Sequence, residues 1–209
     1  MASANVSWQR SALTRAQRWS ALGCRGATIW FTGPPAAGKS TLAGHVEELL
    51  IATGAGAYLL DGDNLRHGLC ADLEFDRASR DENVRRVGEV ACLFADSGTI
   101  ALVALVSPYL AERRAVRELH EHAGLDFLEV FVNTPVHECE ARDPKGLYRR
   151  VRAGELHGVT GIDAPYEAPP APELEIGPEV GIEAAADTVV RALMLALDRR
   201  AGIEKERET

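Results

Sequence analysis

A chain of 209 residues with 46% hydrophobic and 26% charged residues has the make-up of one globular domain with a real core. Its net charge of −8 excludes broad nucleic-acid binding, so any site for an anion must gather positive charge locally. There is no apolar run long enough to span a bilayer and no signal-like apolar stretch at the start. Cys24, Cys70, Cys92 and Cys139 are scattered without a C-x-x-C pair, which fits reduced thiols and a cytoplasmic location rather than a disulfide framework.

Residues 1–26 are polar, with Trp8 and Trp19, and read as a short lead-in segment. The alternation of strand and helix signals then begins, which predicts a parallel sheet covered on both faces. Residues 27–32 (ATIWFT) form the first strand candidate. The next stretch, GPPAAGKST, fits G-x-x-x-x-G-K-[ST], with Gly33, Gly38, Lys39 and Ser40 at the fixed positions. Residues 41–53 follow as a helix, apolar at Leu42, Val46, Leu49 and Leu50 and stopped by Gly54. Strand, glycine loop and helix are the context in which this motif binds phosphates: backbone N–H groups and the helix N-terminus point at the anion. Lys39 supplies a charge for the β- and γ-phosphates, and the Ser40 hydroxyl can ligate Mg²⁺.

A second strand, 57–60, ends at Asp61-Gly62-Asp63. Ser79-x-x-Glu82 reads as a capping box opening a helix that Gly98 closes. Residues 99–106 (TIALVALV) read as a central strand buried on both faces, ending at Ser107-Pro108-Tyr109. A helix over 111–123, a strand over 127–132 and a short helix from Pro135 to about Arg142 follow. Residues 143–172 are rich in Gly, Pro, Arg and Lys with poor periodicity, and read as a lid that excludes water. An amphipathic helix over 183–200 closes a domain of residues 27–200, leaving 201–209 as a disordered tail.

Ligands of open α/β sheets bind beyond the carboxyl ends of the strands, and three such ends here carry reactive groups. They are the glycine loop, Asp61 with Asp63, and Ser107. Beside a nucleotide loop, Asp63 reads as the base that takes a proton from an acceptor hydroxyl, and Asp61 as a holder of Mg²⁺ through water. The plain alternative makes both aspartates turn or N-cap residues. Arg66, Arg77, Arg80, Arg85 and Arg86, with Lys145, Arg149 and Arg150 of the lid, supply the local positive charge, although at least half of them suit a solvated helix face. Phe75 is either core or a plate for a stacked base.

The stretches GATIWFTG…GKST, LDGDNLRHGL, DRASRDENVRRVGEVACLFADSG, SPY, EVFVNTP, RDPKGLY and GVTGIDAPYEAPPAPEL together resemble the adenylyl-sulfate kinase family from about Asn5 to Leu174. The resemblance implies a P-loop kinase-like α/β sandwich and the Mg²⁺- and ATP-dependent phosphorylation of the 3′-hydroxyl of adenosine 5′-phosphosulfate (APS). ATP would be held by Gly33, Pro34, Pro35, Ala36, Ala37, Gly38, Lys39, Ser40 and Thr41, with Arg142 near its adenine. Arg66, Arg80, Asn83, Val106 and Ser107 match APS contacts, Phe75 an aromatic stacked on the APS adenine, and Lys145 the lid lysine. Asp61, Asp63, Val159 and Thr160 complete the acceptor site. Ser107 matches a serine recorded as a phosphoserine intermediate, though in-line transfer needs only a positioning hydroxyl. The family also implies a homodimer and a sulfate adenylyltransferase as possible partner.

Three departures stand out. The family's lid Phe is Val159 here, which leaves an aromatic sandwich one-sided. Glu74 replaces a common Gly and is expected to shift Phe75 or repel the phosphosulfate. Pro34-Pro35-Ala36-Ala37 replaces a Ser/Gly-rich filling and removes donors from the loop. The competing readings are a kinase of the same fold acting on another nucleotide-like alcohol, and an inactive nucleotide-binding regulatory subunit.

Overall fold

The computed structural model describes Ser7, Gln9 and residues 11–207, so Trp8 lies outside the described residues. Five strands, β1 (Ala27–Thr32), β2 (Ala57–Asp61), β3 (Ile100–Ala104), β4 (Asp126–Val132) and β5 (Leu174–Ile176), form one sheet in the order β2-β3-β1-β4-β5. Every pairing is parallel. Around them run α1 (Arg15–Leu22), α2 (Lys39–Ala52), α3 (Gly62–Leu65), α4 (Arg77–Ser97), α5 (Leu110–His122), α6 (Val136–Arg142), α7 (Leu147–Arg152) and α8 (Ile182–Arg207).

The strand period of two divides the sheet between two cores. Ile29 and Phe31 of β1 point with Leu102 and Val130 to the face covered by α2 and α8, where Leu42, Val46, Val189 and Leu193 are fully or almost fully buried. Trp30, between them, points with Ala101 and Val103 to the opposite face, under Val84, Val87 and Ala91 of α4 and Val116 of α5. The result is the expected three-layer α/β sandwich. It also explains the unbroken apolar run of the central strands, which are buried on both faces.

Several boundaries differ from the sequence reading. The capping box at Ser79 does not open α4: Asp76 caps it, accepting from the Ser79 N–H at 3.1 Å and the Ser79 hydroxyl at 2.6 Å. With Ser79 used as a donor, Glu82 turns to Arg85 and Arg86 instead. Gly98 does close the helix, in the left-handed conformation at φ 103°. The lead-in segment contains α1, opened by a reciprocal Thr14–Gln17 capping box. It docks on α4 through the half-buried carboxylate of Asp96, which receives Arg15 and Arg18, while Trp19 donates its indole N–H to the Asp96 carbonyl. The lid is not patternless, since it carries α7. β5 went unread because three residues have no periodicity to display; its register is set by β4, Val130 to Val132 pairing with Leu174 to Ile176. The backbone of α8 continues to Arg207, through most of the segment read as a tail.

Candidate active site

The carboxyl ends of β1, β2 and β3 open into one cleft of about 890 Å³, roofed by the 142–160 segment. The chain leaves β1 for β2 on one side and later reaches β4 on the other, so this is the crevice at the reversal of strand order where α/β sheets bind ligands.

The loop after β1 is shaped by contacts that its sequence does not announce. Gly33 lies at φ 151°, and a Cβ there would stand 2.5 Å from the Val132 carbonyl oxygen, so no larger residue fits beside β4. Gly38 caps α2 at φ 104°, which frees the first N–H groups of α2 toward the cleft. Lys39 is buried, and its ammonium donates to the carbonyls of Gly33 at 2.9 Å and Pro34 at 2.8 Å. Burial pulls its pKa down to about 8. Beside it, the Ser40 hydroxyl donates to Asp61 Oδ2 at 2.5 Å.

Asp61 is an N-cap, as the plain alternative had it, and it also meets the phosphate loop. One oxygen caps α3, accepting from the N–H of Asp63 at 2.9 Å and of Asn64 at 3.4 Å, and the other meets Ser40. Asp63, two residues on, is mostly exposed at the mouth of the cleft and pairs with the Lys145 ammonium from the lid. The two aspartates are thus separated by environment, one buried and bonded to the backbone, the other in solvent beside an exposed cation.

The arginines divide as the solvated-face alternative proposed. Arg85 and Arg86 pair with Glu82, and Arg86 also with Asp72. Arg77 pairs with Asp81 and Glu112, its guanidinium 3.4 Å over the Tyr109 ring. Arg66 and Arg80 line the cleft. Arg66 donates to the carbonyls of Leu73 and Glu74 and stacks 4.2 Å over the Phe75 ring, covering one face of an aromatic that is otherwise 67% exposed. Phe75 is therefore not core. Glu74 is exposed and is not among the residues lining the cleft. Arg80 fastens the lid: it donates to Phe75 O at 2.7 Å, Thr160 Oγ1 at 2.7 Å and Gly158 O at 2.6 Å. Asn83 is buried, and among the described residues its Oδ1 has no hydrogen-bond partner. Val106 also lines the cleft, and Val159, nearly buried, lies on its lid side.

Ser107 is in the left-handed region at φ 37° and 3% exposed. Its hydroxyl is turned into the protein, donating to Thr32 Oγ1 at 3.0 Å and accepting from the Trp30 indole at 3.0 Å.

Sequence reading missed a second cavity and the framework of the lid. The cavity, about 230 Å³, adjoins the cleft, with which it shares Gly38, Thr41 and Arg142, and extends to the turn after β5, where Gly177, Pro178 and Val180 line it. The lid is anchored by Arg113, buried in an ion pair with Glu129 at 2.7 Å and donating to the carbonyls of Ser107 and Glu167. Tyr166 joins it to β1 through the Thr32 hydroxyl at 3.0 Å. Asp163 closes the tip by accepting from the N–H groups of Gly158 and Val159.

The adenylylsulphate kinase family profile matches residues 25–177. The adenylyl-sulfate kinase of Enterobacter sp. (strain 638) is 55% identical over 172 residues, which cover 82% of this chain and 85% of that protein. The adenylyl-sulfate kinase of Citrobacter koseri is 54% identical over 175 residues, covering 84% and 86%. Among solved structures, the Mycobacterium tuberculosis APS kinase in complex with AMPPNP and APS superposes with a TM-score of 0.80 at 50% identity, over 82% of this chain and 99% of that one.

Proposed function

The chain belongs to the adenylylsulphate kinase family, and from that premise we infer that it transfers the γ-phosphoryl group of ATP to the 3′-hydroxyl of adenosine 5′-phosphosulfate. The observation that carries this reading is a pair of adjoining cavities that meet at one phosphate loop, where they share Gly38, Thr41 and Arg142. The smaller, lined by Arg142, takes the ATP base; the larger, with Asp63, Phe75, Arg80 and Asn83, takes the acceptor.

In this reading the triphosphate lies on the N–H groups at the start of α2. Lys39 leaves the Gly33 and Pro34 carbonyls to meet the β- and γ-phosphates. Ser40 and Asp61 offer a pair of hard oxygens beside the loop, a donor set that fits Mg²⁺ with water and phosphate completing its shell. When bound, the ion supplies charge neutralisation on the phosphates. Arg66 backs one face of Phe75 and leaves the other for the adenine of APS. As the ribose oxygen forms its bond to the γ-phosphorus and the bond to the β-phosphate oxygen breaks, Asp63 takes the hydroxyl proton. Lys145 must exchange Asp63 for a substrate oxygen on the way. The buried, doubly bonded hydroxyl of Ser107 supports a positioning role and direct transfer. On the same reading the chain works in the cytoplasm as a homodimer, beside a sulfate-adenylylating enzyme that makes its acceptor.

Incubation with ATP, Mg²⁺ and APS is expected to yield ADP and 3′-phosphoadenylyl sulfate in equal amounts. Faster turnover of a different nucleotide, or ATP binding without product, would replace this reading with one of its rivals. A second expectation concerns the one-sided stack. Val159→Phe is expected to lower KM for APS about fivefold or more with kcat little changed, since base–aromatic stacking is worth ~1–3 kcal/mol. A raised KM would mean that the cleft is shaped for another acceptor.

A further inference from the structure

Ala36 lies at φ 60°, in the left-handed region that a residue with a Cβ enters only against steric resistance. The two residues before it, Pro34 and Pro35, have a fixed φ and no N–H to donate. The loop has one internal bond, from the Ala37 N–H to the Pro34 carbonyl at 3.2 Å, and that turn does not remove the steric cost at Ala36. Three side chains from outside bracket the strained residue, Arg142 among them with a long 3.4 Å bond from its guanidinium to the Ala37 carbonyl. Tyr148 OH donates to the Pro35 carbonyl at 3.0 Å, and Thr134 Oγ1 donates to the Ala37 carbonyl at 2.8 Å. Thr134 follows β4, but Tyr148 belongs to α7, at the root of the lid. Its ring is 1% exposed and packs in the same core as Ala37 and Cys139. Lys39 also holds this loop, through Gly33 and Pro34, yet that hold ends when its ammonium turns to phosphate. Tyr148 also lines the cleft, but it carries no charge that phosphate would draw away from the loop.

We propose that Tyr148 is a positioning residue: its hydroxyl keeps the loop in the strained, ATP-competent conformation and thereby couples the root of the lid to nucleotide binding. This deepens the reading of the loop as the ATP site and rests on it. Without the hydroxyl, the loop relaxes at Ala36, its backbone leaves the phosphate-receiving shape, and the apparent affinity falls by the fraction of competent loops.

The test is a calorimetric titration with ATP and Mg²⁺, alongside turnover with APS. Tyr148→Phe removes one oxygen and keeps the packing. It is expected to raise Kd for ATP about 5- to 30-fold, the cost of a left-handed alanine, while kcat at saturating ATP stays within about threefold. Introduced into Ala36→Gly, the same substitution is expected to change Kd less than about twofold, because glycine occupies positive φ freely. An equal loss in both backgrounds overturns the proposal, as does a Tyr148→Phe protein that melts earlier but binds ATP as the wild type does. A wild-type chain that binds no ATP would defeat the underlying reading, and the inference with it; that result is distinct from an unchanged ratio between variants.

Discussion

Asp63→Asn is expected to lower kcat about 10²- to 10⁴-fold, the contribution of general-base catalysis, while Kd for ATP stays close to that of the wild type. The two aspartates at the end of β2 make this a clean comparison. Asp61 caps α3 and holds Ser40, so its loss disturbs the backbone, the loop and the Mg²⁺ pair together. Asp63 is exposed, and its side chain bonds to Lys145 alone among the described residues. An asparagine still accepts from that ammonium through its carbonyl oxygen and keeps nearly the same volume, so the lid contact survives. What it cannot do is take a proton. Unchanged turnover would remove Asp63 from the role of base, and parallel loss of ATP affinity would make it structural.

Lys39→Met is expected to reduce kcat about 10²- to 10³-fold, the usual cost of removing one preorganised donor from developing charge. The lysine is held where water scarcely reaches it, 8% exposed, which strengthens its pull on phosphate and also lowers its pKa to about 8 in the free enzyme. The ammonium is the form that attracts ATP, and bound phosphates raise its pKa, so binding above pH ~8 takes up a proton. Affinity for ATP should therefore weaken as pH rises through about 8 in the wild type, and this dependence should vanish in Lys39→Met. Titrations in two buffers of different ionisation heat would reveal the proton uptake. A wild-type affinity flat from pH 7 to 9.5 would show that Lys39 stays charged throughout.

Much of this architecture is legible along the chain because its signals are local. The Ala27–Thr32 strand, the loop with Lys39 and Ser40, the helix after it and the Gly98 stop are each written within a few consecutive residues, where sterics and period decide the outcome. Where two local signals competed, the sequence was ambiguous. Asp76 and Ser79 can each cap a helix, and in the folded chain Asp76 does so with Ser79 as its donor. Short elements escape for a related reason: β5 and α7 span too few residues to show a period, and gain their stability from β4 and from the loop they touch.

The sequence by itself determined the layers of the sheet, the phosphate loop and the residue types brought to the strand ends. Only the tertiary structure decided their working partners. Lys145 meets Asp63 across 82 residues, Arg80 meets Thr160 across 80, and Tyr148 reaches Pro35 across 113. Contacts of that separation leave no periodic trace, since they are fixed by where the folded sheet delivers each segment rather than by what its neighbours in the chain prefer. The same holds for the inward turn of the Ser107 hydroxyl and the left-handed Ala36: each is a conformation its own residue resists, imposed by the packed structure around it.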